Sequence, residues 1–198
     1  MNTKIAIVGS GFGMYCLLPA FKRINECDIV SISGKTSDRM NDFCKKFDVK
    51  HYSGWKQMLQ NEKPDAVAIA VIPKNQYEIA KYALENDIAV FAEKPLTTSL
   101  DTSIILNDLA KKQSLPNMID FIFTEIPEWL ETKKILESES FGKIHSVNVN
   151  WTFLSYDLKN NLKSWKTDVN QGGGALSLVF SHIFYYLEYF LGEVRNIQ

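Results

Sequence analysis

The sequence predicts a doubly wound parallel α/β sheet over residues 1–120, followed by the beginning of an α+β, mainly antiparallel, domain over residues 121–198. Three observations carry this. Short apolar runs alternate with helical patterns through the first half, the rhythm that builds parallel sheets. The run Ala66–Ile72, AVAIAVI, has no polar alternation, as a strand covered on both faces requires. Near residue 120 the rhythm changes, and Ile144–Phe153 alternates with Val147, Val149 and Trp151 on one side.

The elements follow in order. Lys4–Val8 is a strand, and Met14–Ile24 a helix with Leu17, Leu18, Phe21 and Ile24 on one side. Asp28–Ser33 is the second strand. Asp38–Phe47 is the second helix, with Ser37 as its N-cap. A short strand near His51 and a helix from Trp55 lead to Ala66–Ile72. Asn75–Glu85 is helical, Ile88–Ala92 a strand, Leu100–Gln113 a helix and Asn117–Phe123 the last strand of the sheet. Beyond it come a helix over Pro127–Glu139, the alternating strand and a polar loop over Leu158–Gln171. An apolar helix over Ala175–Leu191 follows, closed by Gly192.

Composition narrows the class. The chain has 198 residues, a net charge of -1 and 45% hydrophobic residues, ample for a buried core. A charge so close to zero gives no reason to expect nucleic acid as a partner. No stretch of 18 apolar residues predicts a membrane span. Cys16, Cys27 and Cys44 have no metal-ligand spacing and read as inert thiols of a reducing, cytoplasmic protein.

The chemistry begins at Gly9-Ser10-Gly11-Phe12-Gly13-Met14, after the first strand and at the mouth of the first helix. Gly9 permits a tight turn and Gly11 a close backbone approach to a pyrophosphate. The helix N-terminus offers N–H groups and a positive dipole end to that anion. This is the context of a Rossmann dinucleotide site, although Met14 stands where the third glycine of G-x-G-x-x-G belongs and Gly13 comes one place early. The second strand ends Ser33-Gly34-Lys35-Thr36-Ser37, with no carboxylate for the ribose hydroxyls before Asp38. Ser33, Lys35 and Thr36 suit a 2′-phosphate, so NADP(H) is favoured over NAD(H). Val71 lies at the end of the buried strand, Pro73 and Asn75 follow it, and Glu93-Lys94-Pro95 follows the next one. Both stand at carboxyl ends, where such sheets bind ligands.

With Gly172-Gly173-Gly174 and His182 added, these motifs resemble the Gfo/Idh/MocA oxidoreductases, named for glucose-fructose oxidoreductase and inositol dehydrogenase. The resemblance implies hydride transfer between NAD(P) and a secondary alcohol or ketone of a sugar, cyclitol or nucleotide-sugar. It implies Lys94, often before a cis proline, and His182 as the groups handling the hydroxyl proton, with Glu93 beside the cofactor. Trp165 and Lys166 fold back over the site in similar proteins, and a homo-oligomer is expected. Two departures stand out. Leu178 occupies the position of an aspartate, four residues before His182 on the same helical face. Relatives also continue well past this point, so the chain reads as truncated in its C-terminal domain. Both leave open an alternative, a dinucleotide-binding regulator with impaired catalysis.

Overall fold

The computed structural model describes residues 2–197. They divide into two compact units, Met1–Asp120 with Asn170–Gly172, and Phe121–Val169 with Gly173–Gln198.

The first unit is a six-stranded sheet, every pairing parallel, in the order β3-β2-β1-β4-β5-β6. Its strands are β1 (Thr3–Val8), β2 (Cys27–Ser33), β3 (Lys50–Tyr52), β4 (Ala66–Ile69), β5 (Ala89–Glu93) and β6 (Met118–Asp120). Between them run α1, π-wound over Gly13–Leu17 and α-helical over Leu18–Phe21, then α2 (Asp38–Phe47), α3 (Trp55–Glu62), α4 (Pro73–Glu85) and α5 (Leu100–Lys112). Strand order reverses direction between β1 and β4, the switch point outside which doubly wound sheets bind ligands.

The two faces carry separate cores. Ile5 and Ile7 of β1 pack with Met14, Leu18, Ile29 and Ile32 on one face. Ala6 and Val8 pack with Val67, Ile69, Ile79 and Val90 on the other. Burial on both faces explains the unbroken apolar strands, and each large side chain so buried contributes roughly 1.5–3 kcal/mol. Ser37 caps α2 as expected, its hydroxyl accepting from Met40 N at 3.2 Å. The apolar run Ala66–Ile72 is strand only to Ile69, because the chain turns at 70–72 into α4. Likewise the expected strand Asn117–Phe123 shortens to β6 and is followed by a 3-10 turn at Ile122–Glu125.

The second unit is helical among its described residues. It holds α6 (Pro127–Glu137), the short α7 (Tyr156–Lys159) and α8, π-wound over Leu176–Phe180 and α-helical over Ser181–Leu191. Its interior is aromatic. Phe121 stacks on Tyr185 at 4.2 Å, and Trp129 meets Tyr186 at 5.0 Å and Phe190 at 5.3 Å. Lys133 of α6 donates to the Tyr189 carbonyl and pairs with Glu137 at 3.1 Å. The alternating segment Ile144–Phe153 pairs with no strand among the described residues and leaves Val147, Val149 and Trp151 exposed. Alternation marks one face of a strand, but a ladder also needs a neighbour for its backbone groups. The expected loop Leu158–Gln171 contains part of α7 and two 3-10 turns. Gly192 ends α8 at φ 87°, with its N–H on the Glu188 carbonyl. No helix among the described residues is long and apolar enough to cross a membrane.

Candidate functional site

The site grows from the turn after β1. Gly9 has φ 142°, and a Cβ there would lie 2.2 Å from the Ala70 carbonyl oxygen, so the residue just after β4 closes that position to any side chain. A Cβ on Gly11 would meet nothing within 4 Å. The two glycines therefore serve different ends: Gly9 lets the chain turn against β4, and Gly11 keeps the approach to the helix N-terminus bare. Gly13 supplies the close helix–sheet packing expected one residue later, since a Cβ there would come 3.1 Å from Ile7 Cγ2. Met14 is thereby freed to enter the core at 1% exposure. At the start of α1 the Met14 and Tyr15 N–H groups donate to the Gly11 carbonyl at 3.1 and 3.0 Å, so an anion at this turn would be met by the N–H groups ahead of them and by the positive end of the helix dipole.

The turn after β2 comes directly against this loop. A Cβ on Gly34 would sit 2.9 Å from Ser10 Cβ, so Gly34 permits the contact. His51 Nε2 holds the Gly34 carbonyl at 3.0 Å from β3. A cleft of about 600 Å³ opens at the carboxyl ends of β1, β2 and β4. Gly9, Ser10, Ser33 and Lys35 line one side, and Val71 and Asn75 the other. A second recess, beside Ser10, Met14, Lys35 and Ser37, adds Arg39. The bare Gly11 and the cations Lys35 and Arg39 beside Ser10 fit a dinucleotide with its pyrophosphate. Thr36 and Phe12 are exposed but line neither recess. Pro73 is buried instead as the first residue of α4, with Gly172 packed on it.

Lys94 follows β5 at the same edge of the sheet, half-buried, and the Lys94–Pro95 bond is cis. Glu93 and Asp120 are register partners on β5 and β6, and their side chains hydrogen-bond. Burial, the bond to Asp120 and that residue's charge push the Glu93 carboxyl up to about 8, against a smaller opposing pull from Lys94. The raised value disposes the Glu93 carboxyl to keep its proton beside Asp120. An acid raised from 4.5 to about 8 by folding keeps its proton in the native state after the unfolded chain has lost it. Its contribution is complete below the unfolded value and is lost as pH rises towards the folded one. Between those limits stability should fall with pH. Glu93→Gln should flatten that slope in urea unfolding series run across the same window, and an unchanged slope would contradict the assignment.

The remaining sequence candidates belong to the second unit. His182 is 8% exposed, with its ring edge-on to Phe121 at 5.6 Å and Phe123 at 4.9 Å, and near Trp151 at 6.3 Å. Trp165 and Lys166 form a 3-10 turn locked to the triple glycine. Gly174 N donates to the Lys166 carbonyl at 2.9 Å, and a Cβ on Gly173 would lie 2.2 Å from the Trp165 carbonyl oxygen. Lys94 and His182 thus sit in different units.

Residues 3–121 match the model of an oxidoreductase family with an NAD-binding Rossmann fold, and residues 133–197 match that family's C-terminal alpha/beta domain. The chain belongs to the Gfo/Idh/MocA oxidoreductase family. An uncharacterized oxidoreductase of Synechocystis sp. is 28% identical over 197 residues, which are 99% of this chain and 53% of that protein. A dTDP-3,4-didehydro-2,6-dideoxy-alpha-D-glucose 3-reductase of Saccharopolyspora spinosa is 26% identical over 174 residues, 87% of this chain and 51% of that one. A solved 3-ketoreductase from Actinomadura kijaniata, in complex with NADP and TDP-benzene, superposes with a TM-score of 0.84. It has 23% identity and covers 97% of this chain and 58% of its own. The chain spans about half the length of the curated relatives it matches.

Within this Gfo/Idh/MocA chain two residues escaped sequence reasoning. Arg39, in the first turn of α2, reaches the recess beside Ser10 and lies 5.0 Å from the Tyr15 ring. A basic residue two places after the cap was the available signal. Gln76, on α4, donates to backbone carbonyls on both sides of Lys94. Its signal was a polar residue on a helix face otherwise filled by Ile79, Ala80 and Ala83.

Proposed function

We propose that the chain is the cofactor-binding part of a reductase or dehydrogenase that prefers NADP(H) and acts on a secondary alcohol or ketone of a sugar, cyclitol or nucleotide-sugar. One observation carries the reading. A cleft lined by Gly9, Gly34 and Lys35, with a second recess where Lys35 meets Arg39, opens at the carboxyl ends of the strands, the same end of the sheet as Lys94. The 3-reductase name of one relative and the 3-ketoreductase with NADP and TDP-benzene support the substrate class. Gly9, Ser10, Gly11, Gly13 and the start of α1 would hold the pyrophosphate. Ser33, Lys35 and Arg39 would hold the adenosine ribose and its phosphate, and Val71 and Asn75 the opposite wall. A bound nicotinamide supplies the hydride chemistry. Lys94 Nζ would hydrogen-bond the reacting oxygen and move the hydroxyl proton.

The test follows absorbance of reduced nicotinamide while the chain meets a panel of keto-sugars and nucleotide-linked keto-sugars. NADPH consumption with one of them is expected, and Lys94→Ala should lower its rate at least about 100-fold, as for loss of a general acid. Consumption undiminished in Lys94→Ala would remove Lys94 from the chemistry.

A second reading draws support from His182, enclosed by aromatic rings, and from Leu178 in place of an acidic companion. It makes the chain a dinucleotide-binding regulator. NADPH binding with no consumption across the panel would favour it.

A further inference from the structure

Gln76 is an amide where the surrounding helix face is apolar, and it is 0% exposed. A buried amide is costly unless its polar atoms are used. Its two N–H bonds are used in an unusual way. Nε2 donates to the Glu93 carbonyl at 2.9 Å and to the Pro95 carbonyl at 2.7 Å. These carbonyls flank Lys94, so one side chain holds the backbone before and after that lysine. Oε1 meets no hydrogen-bond partner among the described residues. The amide is thus retained for its donors, although its acceptor is buried without compensation. The platform is rigid, because α4 starts on Pro73 and buries Ile79, Ala80, Ala83 and Leu84 in the core. Methionine would fill a similar volume and supply neither donor.

We propose that Gln76 is a positioning residue, clamping the carbonyls on either side of Lys94 so that the lysine is presented in one fixed setting just beyond the carboxyl end of β5. The proposal rests on the assignment of Lys94 to the reaction, and it deepens that assignment. Gln76 need not touch substrate or cofactor. Its effect is on the lysine, while the Ser10–Lys35 end of the cleft stays as it is.

Limited reductive methylation with formaldehyde and cyanoborohydride, read by peptide mass spectrometry, reports on Lys94 without any substrate. Exposed Lys50 serves as the internal reference. Gln76→Met should change the Lys94 rate relative to Lys50 by about fivefold or more, the scale of a lost hydrogen bond, with NADPH affinity within about threefold of the parent. Gln76→His, which keeps one ring N–H, should recover at least about half of the effect. A Lys94 rate in Gln76→Met equal to the parent would overturn the proposal. So would unfolding of both variants by circular dichroism, since Gln76 would then serve the core at large. Failure of the underlying assignment reads differently: NADPH would not slow Lys94 methylation in the parent chain, whatever the Gln76 variants do.

Discussion

Gly11→Ala is expected to cost the protein its dinucleotide and leave its fold intact. No atom lies within 4 Å of the added methyl group, so the folded state has nothing to lose, and melting should stay within about 2 °C of the parent. The methyl occupies the path by which a pyrophosphate reaches the N–H groups of α1. Losing one charge-assisted hydrogen bond there raises the NADPH dissociation constant roughly 10- to 100-fold. Gly9→Ala should behave in the opposite way. Its methyl meets the Ala70 carbonyl oxygen at 2.2 Å, and φ 142° is a conformation that alanine rarely adopts. Strain and overpacking together should destabilise the chain by roughly 3 kcal/mol or more. Thermal melting and calorimetric titration of both variants separate the two roles. Equal losses of stability would contradict the division.

The second large effect concerns the ribose turn. Lys35→Ala with Arg39→Ala should weaken NADPH roughly 100-fold while NADH changes by no more than about threefold. Two cations facing a doubly charged phosphate are worth that much, and the unphosphorylated ribose does not meet them. Arg39 also lies against Tyr15, but that exposed cation–π contact is worth only about 0.5–1 kcal/mol, so the double variant should fold. Parallel weakening of both cofactors, measured by titration, would show that the two residues serve the turn and not the phosphate.

Much of this was legible in the chain itself, where the signal is local. KIAIV running into Gly9 fixes strand, turn and helix within ten residues, because a buried parallel strand and a glycine turn both have short-range signatures. Glu93-Lys94-Pro95 after an apolar run placed Lys94 at a carboxyl edge on the same grounds. What depends on side-chain partners from distant segments was not legible. Gly13 in the role expected of residue 14 emerges only when α1 is seen against Ile7. Arg39 joins the site because Gly34 packs on Ser10, a contact between turns more than twenty residues apart. The part of Gln76 depends on β5, which brings two carbonyls to it from residues 17 and 19 places away. The Glu93–Asp120 bond needed the β5–β6 register, which no periodicity supplies. Ile144–Phe153 shows the converse. Its alternation is real, yet pairing is a property of two segments, and no described strand pairs with it.

We propose that the first unit binds NADP(H) in preference to NAD(H). Calorimetric titration of the chain with NADPH and with NADH tests it most directly. NADPH is expected to bind saturably with a roughly micromolar dissociation constant, about −8 kcal/mol, and NADH more weakly. Heats of dilution alone for both cofactors would contradict the site, and tighter binding of NADH would contradict the part given to Lys35 and Arg39.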